Sequence, residues 1–168
     1  AGLVSHLEPL PELPELARGI DRLASFARVV MLDKREQGLS DRIGRPPTSE
    51  EMVDDIAAVM DASETERAAI FGVSEGAAMA LMFAATYPER CSHLVIWGGY
   101  ARVTETDGYP EGVPAEGLDR FGHVVNRDWG GPVLLAAFAP SRVGDPLVED
   151  WWARLLRAGT SPSSAAAL

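Results

Sequence analysis

Gly72-Val73-Ser74-Glu75-Gly76 is the stretch of this sequence best suited to chemistry. It lies between a short apolar run, Ala68-Ala69-Ile70-Phe71, and a longer apolar segment from Gly76 to Tyr87. A serine at a tight turn from strand to helix sits where the first helical turn offers unbonded N–H groups and the positive end of the helix dipole. That setting suits nucleophilic attack on an acyl carbon, with the Glu75 N–H as one donor to the oxyanion that forms. Turning so sharply puts the serine in a strained backbone state that costs about 1–3 kcal/mol. Side chains two positions before and after would collide, and glycine at 72 and 76 removes both. Gly-x-Ser-x-Gly also arises by chance, and the competing reading is a glycine-flanked turn without chemistry. The strand–turn–helix context favours the nucleophile. Serine rather than aspartate at position 74 points to acyl transfer, provided a base activates it.

The elements that would position Ser74 follow from hydrophobic spacing. Leu13, Leu16, Ile20, Leu23 and Phe26 predict a helix within 12–27, running into a strand-type apolar run, Val29-Val30-Met31-Leu32. Residues 41–47 are polar and proline-rich, hence loop. Thr48 and Glu51 form a capping-box pair that opens a helix bearing Met52, Val53, Ile56, Val59 and Met60, ending near Asp61. Ala68–Phe71 reads as a buried strand, Gly76–Tyr87 as a helix apolar nearly all round and so buried, and His93–Trp97 as a third strand. Such alternation predicts an α/β fold with a parallel central sheet and crossover helices. Residues 101–117, rich in glycine, proline and acid, read as an irregular excursion; from Leu118 onward the segments look helical, most clearly over 148–158. The division implied is a partial core over 1–100 and a cap-like, mainly helical region over 101–168. A three-stranded parallel sheet would leave two bare edges, and the sequence opens without an initiating Met, so a piece of a larger fold is expected.

Three motifs in order carry a family resemblance over almost the whole chain. Asp33-Lys34-Arg35-Glu36-Gln37-Gly38-Leu39-Ser40-Asp41 resembles the Asp-x-Arg-Gly-x-Gly-x-Ser-Asp loop after the fourth strand of α/β-hydrolases. Gly72–Gly76 resembles their nucleophile elbow, and Tyr87-Pro88-Glu89-Arg90 the segment before their sixth strand. Gly2-Leu3 falls where the family's His-Gly-x oxyanion loop follows the third strand. The resemblance implies a partial α/β-hydrolase fold with a helical cap insertion, Ser74 as nucleophile, and the backbone N–H groups of Leu3 and Glu75 as the oxyanion hole. Val4-Ser5-His6-Leu7-Glu8, Glu75 in the elbow and Trp151-Trp152-Ala153-Arg154-Leu155 resemble, more narrowly, the hydrolase-like domains preceding class III nucleotidyl cyclase domains in actinobacteria. A cyclase domain in the parent chain is the partner this implies.

Two departures stand out. Glu36 occupies a position where the family has glycine, which calls the tight turn of that loop into question. The family's acid and histidine follow later strands, and no strand signal returns after residue 100. His6 follows the oxyanion loop and is a weaker candidate base; His93 opens a strand and reads as structural; His123 is a candidate substrate-facing residue of the cap. Asp33 is expected to anchor its own loop, together with Arg35, while Glu105 and Asp107 follow the last strand at a distance that assigns neither as the acid. Trp129, Trp151 and Trp152 could line an apolar acyl pocket above Ser74, or simply pack the cap helices together.

Composition narrows the classes. A net charge of −10 opposes binding to nucleic acid or to an anionic membrane. No apolar run reaches the roughly 18 residues of a membrane span. The single cysteine, Cys91, excludes an intrachain disulfide and a multi-cysteine metal site, and fits a cytoplasmic setting. Neither a metal nor another cofactor is implied; a homodimer stays open. The reading is a serine hydrolase, carboxylesterase-like, acting on a small to medium apolar ester, thioester or amide. Its alternative is a non-catalytic, small-molecule-sensing domain that regulates an attached cyclase.

Overall fold

The computed structural model describes residues 4–166. Its order is α1 (Pro14–Ala24), α2 (Ser49–Ala62), β1 (Ala68–Val73), α3 (Gly76–Thr86), β2 (Cys91–Trp97), α4 (Ala115–Asp128), α5 (Pro132–Phe138), α6 (Pro146–Gly159) and α7 (Pro162–Ala166), with short 3-10 turns at Leu10–Glu12 and Pro140–Arg142. The capping box forms as its residues require: the Thr48 hydroxyl accepts the Glu51 N–H, and the Glu51 carboxylate accepts the Thr48 N–H. Helix α6 starts at Asp145, whose carboxylate accepts the N–H groups of Leu147 and Val148, with Pro146 in the first turn.

β1 and β2 pair in parallel, Ala69 opposite His93 and Val73 opposite Trp97, and α3 makes the crossover between them. One core lies between this unit and α2: Val53, Ile56 and Met60 meet Met79 and Phe83, with Ala68, Ile70 and Cys91 packed on the same cluster. A second body is helical. Leu13, Leu135, Val148, Trp151 and Leu155 form one cluster there, and Val125, Leu134, Leu156 and Ala165 another. Val4, Leu10 and Leu16 pack against the first of these, so the beginning of the described chain shares its core with α5 and α6.

Three expectations about the sheet need correction. Residues 29–32 are not a strand, because a strand exists only as part of a ladder and no described segment pairs with them. The strand read as buried, at Ala68–Phe71, is open, with Phe71 46% exposed; its neighbour β2 is open as well, Val95 being 50% and Trp97 67% exposed. Helix α3 buries Gly76, Ala77, Met79, Ala80 and Phe83 but leaves Leu81 and Met82 exposed. None of the described helices is long and apolar enough to cross a membrane.

Candidate active site

β1 runs straight into α3 through Ser74 and Glu75, and Ser74 takes up φ +53°. This left-handed state is unfavourable for a residue with a Cβ. What holds it is a set of bonds on both sides of the turn: the Ser74 N–H donates to the Trp97 carbonyl at 2.9 Å, and the Ala77 N–H donates to the Ser74 carbonyl at 2.9 Å. Gly72 must be glycine. A Cβ there would stand 2.7 Å from the Gly76 carbonyl oxygen, 2.8 Å from the Ala77 Cα and 2.8 Å from the Ala80 Cβ. The elbow is thus a place where strand and helix backbones nearly touch. Ser74 is half-buried at the head of α3, where the Glu75 N–H makes no backbone bond among the described residues and can serve as a donor. Leu3, the other expected oxyanion donor, lies outside the described residues.

The Glu75 side chain is held from the loop that follows residue 32. The Lys34 ammonium, almost wholly buried, donates to Glu75 Oε2 at 2.6 Å. Burial pushes the Lys34 pKa down, and the Glu75 carboxylate partly offsets that. Tyr100, just past Gly98-Gly99 at the end of β2, also approaches the elbow. Burial raises its phenol pKa first and the Glu75 charge raises it further, while an interaction with the Ser74 hydroxyl lowers it. Tyr100 therefore stays a protonated phenol beside the serine at neutral pH. Sequence reading missed both residues. A lysine after a strand reads as solvated, whereas Tyr100 had a signal in its place after the double glycine.

The loop from 33 to 41 is tightly organised. Asp33 anchors it as expected, accepting the Leu39 N–H at 3.0 Å on its carboxylate and the Ser40 hydroxyl at 2.7 Å on its carbonyl. Arg35 does not join it there: its guanidinium pairs with Asp55 on α2 at 2.5 Å, with Glu51 at 3.8 Å. Glu36 keeps the turn that glycine makes in the family by adopting φ +69° itself. Its carboxylate accepts the backbone N–H groups of Ile43 and Gly44, which offsets the backbone strain.

No hydrogen bond joins a histidine to Ser74 among the described residues. His6 is buried with Nδ1 4.0 Å from Asp33 Oδ2 and Nε2 4.0 Å from Glu8 Oε2. His93 lies by Ser92 on β2, and His123 is exposed on α4. The tryptophans sit in the helical body. The Trp129 indole N–H donates to the Leu156 and Thr160 carbonyls at 3.1 and 3.0 Å, and that of Trp151 to Pro9 at 2.6 Å. Trp152 stacks obliquely between Phe138 and Trp151. These contacts pack the helices, and none joins an indole to the elbow. Glu105 and Asp107 line an open depression of about 390 Å³ with Pro110 and Pro114, and Ser74 is not part of its lining. Among the described residues no group of His, Cys, Asp and Glu is arranged to hold a metal ion.

Residues 11–158 match the family model described as alpha/beta hydrolase fold. The protein named "Putative carbamate hydrolase RutD" from Caulobacter sp. (strain K31) is 40% identical over 81 residues, which are 48% of this chain and 30% of that protein. Its namesake in Azorhizobium caulinodans is 34% identical over 90 residues, 54% of this chain and 33% of the relative. Among solved structures, an esterase (EaEST) from Exiguobacterium antarcticum superposes with a TM-score of 0.76 at 23% identity, over 98% of this chain and 63% of that one. A hydrolase from Pseudomonas aeruginosa PA01 gives a TM-score of 0.67 at 24% identity, over 92% and 57%. The matched regions thus span about a third of the curated relatives' length. At these identities the structural likeness is one of fold.

Proposed function

Since the chain belongs to the alpha/beta hydrolase fold family, we propose that it carries the nucleophile-bearing part of a serine hydrolase. Ser74 Oγ attacks the carbonyl carbon of an ester, thioester or amide; its proton passes to a base, and the carbonyl oxygen becomes an oxyanion facing the Glu75 N–H. Collapse expels the leaving group, which takes up a proton, and water then hydrolyses the acyl-serine to the acid. The relatives named as carbamate hydrolases fit the same scheme, because a carbamate carbonyl is open to the same attack. The observation that carries the reading is Ser74 at φ +53° on a strand-to-helix turn closed to any side chain at Gly72. The test is covalent labelling of the chain by a fluorophosphonate, located by peptide mass spectrometry. Modification at Ser74, lost in Ser74→Ala, supports it; labelling elsewhere, or unchanged in the variant, sinks it.

A second reading is favoured by one feature, the lack of a histidine bonded to Ser74 among the described residues. In that reading the site binds a small apolar carbonyl compound without turning it over and passes the signal to an attached cyclase domain. Ligand-dependent cyclase output from a full-length parent, unaffected by Ser74→Ala, would favour it over the enzyme.

A further inference from the structure

Resting on Ser74 as the nucleophile, we propose that Lys34 is a positioning residue for the oxyanion side of the site. Its main chain fixes the segment that follows Leu3, and its ammonium holds and neutralises Glu75, whose N–H faces the oxyanion. The Lys34 N–H donates to the Ser5 hydroxyl at 2.8 Å; Ser5 in turn donates its own N–H to Gln37 Oε1 at 2.5 Å and its hydroxyl to the same oxygen at 3.0 Å. Ser5, Lys34 and Gln37 are all buried. At the other end of the same residue, the ammonium lies 2.6 Å from Glu75 Oε2, with the lysine side chain 3% exposed. One residue therefore ties the Ser5 segment to Glu75, the elbow residue that follows the serine.

The charge matters as much as the tether. Glu75 directly follows the nucleophile, and Tyr100 interacts both with its charge and with the Ser74 hydroxyl, so the Glu75 carboxylate belongs to the electrostatic surroundings of the serine. Left unpaired, it would oppose the negative charge that develops on the substrate, in a half-buried setting where screening is weak. Burying a lysine is costly unless it is paired, and the pair here is neutral as a whole. Arg35, the next residue, serves as a contrast: it engages Asp55 and Glu51 on α2 and has no bond to the elbow.

The experiment measures fluorophosphonate labelling of Ser74 in the wild-type chain and its variants, resolving the maximal rate from the probe's apparent affinity. Lys34→Met should lower the maximal rate at least about tenfold with the affinity within about twofold, because only the transition state gains negative charge. Lys34→Arg should keep most of the rate. Lys34→Met/Glu75→Gln should recover much of what Lys34→Met loses, which a loss of packing would not do. Circular dichroism checks the fold of each variant, and if Lys34→Met does not fold, the double variant against wild type carries the comparison: a rate within about fivefold supports the role, a larger loss overturns it. A wild-type rate in Lys34→Met, or a loss confined to affinity, also overturns it. If the wild-type chain takes up no probe at Ser74, the nucleophile reading has failed and the tether is judged by backbone amide resonances. Lys34→Met must then shift the amides of Ser5 and Glu75 together, while Arg35→Met leaves both in place; unmoved amides overturn the tether too.

Discussion

Replacing Gly72 by alanine adds one methyl group, and the structure says where it would go. Its Cβ would meet the Gly76 carbonyl oxygen at 2.7 Å, the Ala77 Cα at 2.8 Å and the Ala80 Cβ at 2.8 Å. Two of these atoms belong to the backbone of α3, and the third is a methyl carbon fixed directly to it, so no rotamer change makes room. Ordinary carbon contacts lie near 3.5–4.0 Å, so β1 and α3 must part by roughly an ångström at the turn. That separation strains the bond from Ser74 to Trp97 and loosens Phe83, a fully buried residue of α3, from Val53, Ile56 and Met60. Overpacking of this kind costs about 1–3 kcal/mol, and backbone neighbours place it near the top of that range. For a chain of this size about 2–3 kcal/mol corresponds to a fall in melting temperature of roughly 4–12 °C. Thermal melts by circular dichroism, with urea titrations on the same samples, measure it. A matched substitution in the exposed interior of α1, Gly19→Ala, meets no atom within 4 Å and should be neutral or stabilising. Equal melting temperatures for Gly72→Ala and wild type would refute the close approach of strand and helix, and with it the packing argument for the elbow.

Three further outcomes are expected. The chain by itself should hydrolyse p-nitrophenyl acetate slowly, since no histidine is bonded to Ser74 among the described residues and a triad lacking a member retains only about 10³–10⁴-fold over water; His6→Ala should leave that slow rate unchanged, and rapid turnover lost in both Ser74→Ala and His6→Ala would overturn this reading of His6. Glu51 is held down at about 2, mainly by the Arg45 guanidinium and then by the Thr48 N–H. A carboxylate with a folded pKa below its unfolded value stabilises fully above the unfolded value, so that contribution should disappear as pH falls from about 5 toward 2; an NMR titration reads the midpoint, and Arg45→Met should raise it. Trp151→Phe removes the buried donor to the Pro9 carbonyl and should cost about 1–3 kcal/mol in urea unfolding, whereas an unchanged midpoint would remove that contact from the account of how the N-terminal segment joins α6.

Local chemistry made much of this protein readable in advance. Gly72 and Gly76 flanking a serine imply a turn that only glycines permit, and Ser74 takes the left-handed backbone that such a turn demands. Thr48 and Glu51 announced the start of α2, since a capping box is satisfied within four residues. The apolar spacing over 148–158 gave α6 for the same reason, its signal being periodic and contained in the helix itself. Strand 29–32 failed because a strand is not a local object: its ladder needs a neighbour that hydrophobicity alone does not supply.

The sequence by itself determined which residues could be nucleophile, caps and turns, because those properties belong to one residue and its near neighbours. Tertiary structure alone decided which side chains gather at the nucleophile. Lys34 is 40 residues from Ser74 in sequence, and only the crossing of its loop over the elbow turns an apparently solvated lysine into the buried partner of Glu75. It likewise gave Trp129 and Trp151 backbone carbonyls as partners, so that their indoles tie segments of the helical body together. Glu36 shows the limit from the other side. Its identity argued against the turn, and the turn formed because Ile43 and Gly44, brought back by the fold, supply the N–H groups that its carboxylate needs.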